Sequence, residues 1–165
     1  MPITIPKPIL LMPKVPSVMV VGLLVAQFLF FQIGNGPEPK CILKVERPHY
    51  STSLKETRNI DAIKLNITST CNVPQKYTEI DSTIQKIGGN RQVMAYDFGT
   101  VRRRPLKNHP EVAEFRNLYA PCHLGISVPY SGLAKGFVYL KNGEKYPVEG
   151  SPGEFKAAKC AIGAQ

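Results

Sequence analysis

The chain has 165 residues and a formal net charge of +9, from 21 Lys and Arg against 12 Asp and Glu. That length holds one domain with an appendage and excludes two independent cores. Hydrophobic residues at 43% and charged residues at 20% exclude wholesale disorder, while 15 Pro and 13 Gly speak against a helical bundle.

Residues 1–14 carry Pro2, Pro6, Pro8 and Pro13 and read as an extended cytoplasmic tail. Residues 15–33 contain no charged side chain, and the run from Val18 to Ala26 is continuously apolar or glycine. A spanning helix needs about 17–25 such residues, so this segment reads as a transmembrane signal-anchor. Lys7 and Lys14 precede it and Glu38 follows, which places the N-terminus inside and the remainder outside. A cleaved signal peptide is the alternative, with Gly34-Asn35-Gly36 as the small residues at its end. Pro37 would then be the new first residue, which opposes cleavage, and retention is the favoured reading. Gln27 and Gln32 interrupt the apolar run. In lipid such side chains seek partners, which makes them candidates for docking a neighbouring helix of a membrane complex. Residues 34–40 form a short spacer.

From Cys41 onward lies the expected extracytoplasmic domain, residues 41–165. Lys7, Lys14 and Lys40 take three of the 21 cations and Glu38 one of the 12 acids, so this segment keeps a balance of 18 against 11. The excess charge belongs to the folded domain and favours anionic partners: lipid headgroups, acidic envelope polymers or an acidic protein face. Outside the cell, nucleic acid is not an expected partner.

All four cysteines, Cys41, Cys71, Cys122 and Cys160, fall in this segment. Their wide spacing, without a C-x-x-C pair, opposes zinc and thioredoxin-like chemistry and reads as two disulfides. Three connectivities exist. Cys41–Cys71 and Cys122–Cys160 are favoured, because each closes a local antiparallel unit.

Alternation is the main signal along the domain. Cys41, Leu43 and Val45 share one face of a first strand. His49 to Arg58 is polar and reads as a connection. Ile63, Leu65, Ile67 and Cys71 line the inner face of the clearest strand, with Asn66 facing outward. Tyr77 to Ile87 fits both a helical stripe and a strand with Thr78, Ile80, Ser82 and Ile84 on one face. The Gly88-Gly89 pair before Gln92–Tyr96 favours a hairpin and hence the strand. Thr100 to Pro110 reads as a basic loop, and Val112 to Leu118 as a short element of undecided type. Leu124, Ile126 and Val128 alternate with Gly125 and Ser127. Asn142-Gly143 between apolar runs is a strong hairpin signal, and a last strand near Phe155–Ala161 carries Cys160. About eight strands in all predict an all-β fold, an antiparallel sandwich that is Ig-like or a partly open barrel.

Cys71, the Gly88-Gly89 hairpin, Cys122 with Gly125, the strand around Gly136 and terminal Cys160 resemble the pattern of small exported actinobacterial β-sandwich proteins. The resemblance spans most of Cys41 to Cys160. It implies architecture and no chemistry, and the long anchor-like segment departs from that group's usual cleaved signal.

No catalytic, cofactor-binding or metal-ligating set is expected. Gly125-Ile126-Ser127-Val128-Pro129 lacks the final glycine of a nucleophile elbow, and Asp97-Phe98-Gly99 stands without the loops that give that tripeptide meaning in kinases. Glu79 and Asp81 read as solvent-facing. Cys122-His123 reads as a disulfide beside an exposed histidine, and Asn66-Ile67-Thr68 as a glycosylation sequon by form only. The one conspicuous cluster is Arg102, Arg103 and Arg104 with Lys107, a candidate patch for an anion or an acidic partner. The leading expectation is therefore a non-catalytic, membrane-tethered interaction domain, an accessory subunit of an envelope complex or a binder of anionic envelope components. A secreted hydrolase with a scattered site is the alternative.

Overall fold

In the computed structural model, residues 38–88 and 90–163 are described. Glu38 apart, they fall in one compact unit, Pro39–Gln165. The apolar segment 15–33, with Gln27 and Gln32, lies outside the described residues. Among the described residues no helix is long and apolar enough to cross a membrane.

The elements in chain order are β1 Cys41–Val45, β2 His49–Tyr50, α1 Thr52–Arg58, β3 Ala62–Cys71, β4 Gln75–Gly88, β5 Arg91–Arg103, β6 Val112–Leu140, β7 Lys145–Gly150 and β8 Lys156–Ile162. All eight strands join one antiparallel sheet that curls into a half-barrel. Its axis is the 29-residue β6. The first third of β6 pairs with β3, from Val112 opposite Thr70 to Pro121 opposite Ala62. Its middle pairs with β8 and its last third with both β4 and β7.

Strand β6 runs out beside β3 and returns beside β4, so both of its ends lie together. Gln75 at the start of β4 pairs with Leu140, and its N–H donates to the Pro110 carbonyl at 2.7 Å. The domain begins at this same end. Cys41 opposes Cys71, the Asn72 N–H donates to the Lys40 carbonyl, and the Cys71 N–H donates to the Glu111 carbonyl. We call this the entry end. The opposite end carries the β4–β5 turn and the middle of β6.

The inner face is the one alternation specifies. Ile63, Leu65 and Ile67 of β3 and Ile80 and Ile84 of β4 are buried with Phe115, Tyr130 and Val138 of β6. Thr78, Ile80, Ser82 and Ile84 are all buried, so Tyr77–Ile87 is a strand on the expected face. A bulge explains why Val112–Leu118 defies a simple period. Leu65 pairs with Leu118 but Ile67 with Phe115, so Arg116 and Asn117 together oppose Asn66. Both bulge residues point to solvent while Phe115 and Leu118 both stay inside. Asn66 is half-buried, and its amide donates to Glu46 at 2.9 Å.

Two expectations are corrected. His49–Arg58 is not a plain connection: β2 and a seven-residue helix occupy it. Ser51 caps that helix by accepting from the Leu54 N–H, and Asn59 ends it at φ 54°. The helix buries none of its residues, so it leaves no apolar stripe in the sequence. Second, Thr100–Arg103 belongs to β5, not to a loop. The alternation of Leu124, Ile126 and Val128 is interrupted by a bulge: after Leu124, still in register opposite Cys160, β6 advances four residues to Val128 while β8 advances two, and Leu124 and Ile126 are both exposed.

Both disulfides close local units in the favoured pairing. Cys41–Cys71 joins directly opposed residues of β1 and β3, and Cys122–Cys160 joins β6 to β8.

Candidate functional site: a basic groove at the entry end

Strand alternation divides the arginine triplet. Arg102 and Arg104 are exposed on the outer side, whereas Arg103 is half-buried on the side of Val101 and donates to the Arg102 carbonyl. Arg102 is engaged. Its Nε and one terminal nitrogen both reach one Glu79 oxygen, at 2.8 and 2.6 Å, and its guanidinium lies 4.5 Å from the Tyr77 ring centre. Glu79 thereby raises the Arg102 pKa and offsets its charge. Tyr77 in turn stacks on Tyr139 with ring centres 4.3 Å apart.

Beside this stack lies a groove of about 770 Å³. Arg102, Arg104 and Lys107 line it, as do Lys76 and Lys141, with Tyr77 and Leu106 as apolar wall. Lys76, Arg104, Lys107 and Lys141 form no ion pair among the described residues. Among the described residues no carboxylate or imidazole lines the groove. Four unneutralised cations facing one concavity give a local positive potential suited to an anion.

Buried hydrogen bonds tie the groove's floor together. Gln75 is fully buried, and its amide nitrogen donates to the Glu111 carbonyl at 2.6 Å and the Ser69 carbonyl at 3.2 Å. The Thr78 hydroxyl donates to the Gln75 side-chain oxygen at 2.5 Å. This buried knot ties β3, β4 and the start of β6 together beneath the site. The Arg104–Glu111 connection is held by a bridge between Leu106 and His109 and by His109 lying 3.4 Å from Glu111.

Sequence reading located Arg102, Arg104 and Lys107 but missed Lys76 and Lys141. They are brought in by the pairing of Gln75 with Leu140, a contact between residues 65 apart in the chain. The sequence offers no local sign of it. The other residues singled out do not assemble. Glu79 is committed to Arg102, Asp81 accepts from Thr100, and Ser127 sits exposed on the β6 bulge. Among the described residues no three His, Cys, Asp or Glu side chains converge as a metal site.

No protein-family model matches the chain, and no curated protein matches it. Among solved structures, the solution structure of a candidate late embryogenesis abundant (LEA) protein matches at 13% identity and a TM-score of 0.42, over 88% of this chain and 86% of that one. At this level the likeness assigns neither fold nor activity.

Proposed function

We propose that the chain is a non-catalytic interaction domain, tethered to the outer side of a membrane by residues 15–33, that takes anionic envelope components in the entry-end groove. The observation that carries this reading is the convergence of Lys76, Arg104, Lys107 and Lys141 on one groove at the end where the chain enters the domain. A tether of residues 34–40 would keep the domain close to a bilayer, where each basic residue near the surface adds about 1 kcal/mol of attraction to anionic lipid. The envelope-complex role rests on Gln27 and Gln32 as docking side chains within the span.

Two measurements test the reading. Gentle detergent purification of the tagged full chain followed by mass spectrometry should return residues 1–36 intact, with stoichiometric membrane partners. A soluble monomer beginning near Pro37 overturns the tether and favours the secreted-hydrolase alternative. Calorimetric titration of the full chain with pyrophosphate should show salt-sensitive binding that Arg104→Glu with Lys107→Glu removes. Equal binding by that variant overturns the groove.

A further inference from the structure

The end opposite the groove has a different chemistry. Of the eight exposed large hydrophobic side chains among the described residues, five gather there: Ile87, Val93 and Met94 at the β4–β5 turn, and Leu124 and Ile126 on the β6 bulge. Their proximity follows from register. Lys86 of β4 pairs with Tyr130 of β6, so the turn beyond Lys86 and the bulge before Val128 project from the same end of the sheet. Met94 is 61% exposed and Ile126 66%.

The exposure is built in. Cys122 and Tyr130 both point inward, so plain alternation would bury Leu124 and Ile126. Leu124 keeps its register opposite buried Cys160 and is nevertheless exposed, and Ile126 lies within the two-residue bulge beside Gly125 at φ 113°. A side chain at 125 would be strained in that conformation, which fits glycine there. Two large aliphatic side chains left exposed beside the apolar β4–β5 turn form a patch that belongs to a surface other than the core.

Charge states what covers this end. The three segments that build it, residues 84–95, 121–130 and 156–162, contain Lys86, Arg91, Lys156 and Lys159 and no Asp or Glu. None of these cations forms an ion pair among the described residues. The neighbouring stretch 51–61 is balanced, with Lys55 and Arg58 against Glu56 and Asp61. Asp61 accepts from the Tyr50 hydroxyl at 2.5 Å and pairs with Lys55 at 2.9 Å. Projecting aliphatic tips backed by long cationic side chains, in segments that contain no acid, match an anionic bilayer. The apolar ends enter the acyl boundary, and the Lys and Arg heads stay among the phosphates.

We infer that this end is a lipid-docking tip, through which the domain inserts Met94, Leu124 and Ile126 into an anionic bilayer surface. The inference is independent of the entry-end groove and gives the domain a second contact, away from where the chain enters.

The test uses the absence of Trp from the chain. In the full chain, Met94→Trp places a single tryptophan at the tip, and Ile42→Trp, at an exposed site on β1, places one at the entry end. With phosphatidylglycerol-containing vesicles carrying brominated acyl chains, the Met94→Trp emission shifts to the blue and is quenched, while phosphatidylcholine vesicles leave it unchanged. Adding Lys86→Glu and Arg91→Glu weakens that response at least about tenfold. Ile126→Trp serves as a second probe of the same tip should Met94→Trp fail to fold. Arg104→Glu with Lys107→Glu leaves the tip signal intact, which separates this inference from the groove. A tip tryptophan that stays water-exposed beside anionic vesicles overturns the inference. So does quenching of Ile42→Trp in place of the tip probe, or a blue shift that depends on protein concentration without vesicles, the mark of a copy-to-copy contact.

Discussion

Removing one oxygen atom, with Tyr130→Phe, tests how the curled sheet is held at its far end. Tyr130 is fully buried where β6 passes between β4 and β8, with Lys86 and Lys156 as its register partners. Its hydroxyl accepts from the Ile162 N–H at 2.8 Å and donates to the Cys160 carbonyl at 3.1 Å. Both partners lie on buried residues of the last strand, one of them in the Cys122–Cys160 disulfide. Phe fills nearly the same volume, so packing is preserved while one buried donor and one buried acceptor lose their partner. Each unsatisfied group costs about 1–3 kcal/mol, and partial relaxation of the last strand brings the expected loss to about 2–4 kcal/mol. For a domain of this size that corresponds to a fall in Tm of roughly 6–15 °C.

The same residue has a proton-linked signature. Burial raises the Tyr130 pKa, and the bond from the Ile162 N–H offsets part of that rise. A raised folded-state value means that its contribution is fully present below the ordinary tyrosine value of about 10 and is lost as pH rises through the folded value. The wild-type chain should lose stability on that alkaline limb, and Tyr130→Phe should flatten it. Urea unfolding followed by β-sheet circular dichroism without reductant, across an alkaline pH series, measures both effects. An unfolding free energy within about 0.5 kcal/mol of wild type would refute the reasoning, because the hydroxyl would then carry no net hydrogen-bond energy.

Three further outcomes follow from the same physics. Replacing Cys41 with Cys71, or Cys122 with Cys160, by serine pairs should each cost about 3–4 kcal/mol in denaturant melts, since the bridges close chain separations of 30 and 38 residues. Non-reducing peptide mapping should return those two linkages and no other. Gly136→Ala should destabilise by about 1–3 kcal/mol or abolish folding, because the new Cβ would fall on the Glu79 carbonyl oxygen and 2.7 Å from the Ile80 Cα, backbone atoms that cannot move aside. A thermal melt close to wild type would refute that account. The Asp61 pKa is lowered, first by the Tyr50 hydroxyl and then by Lys55. Its contribution is therefore present above the ordinary carboxylate value of about 3.9 and lost as pH falls through the folded value. Carbon-detected NMR titration of the side chain should show the depressed midpoint, and Asp61→Asn should shallow the acid limb of the stability profile.

Much of the architecture was legible in local pattern. The alternation of Ile63, Leu65 and Ile67 places them inside, and Thr78, Ile80, Ser82 and Ile84 occupy the face that the strand reading requires. Asn142-Gly143 closes the β6–β7 hairpin, and the cysteines pair within their local units. These features depend on neighbours a few residues apart or on one strand and its partner, so a single sequence records them.

The candidate sites were only half legible, and for one physical reason. A bulge belongs to a pair of strands, not to one. The two extra residues of β6 around Gly125 interrupt the alternation of Leu124, Ile126 and Val128, and Arg116 with Asn117 breaks the period before Leu118. Likewise the arginine triplet is a charge run in sequence, but pairing of Thr78 with Arg103 makes it part of a strand and turns Arg103 away from its neighbours. Lys76 and Lys141 join Arg104 only because β4 lies beside the last third of β6. The sequence alone determined which faces of β3 and β4 are apolar and that the excess charge sits on the domain, and it favoured one of three cysteine pairings. The tertiary structure decided which cations share a groove and which apolar residues reach solvent, because register between distant strands sets both.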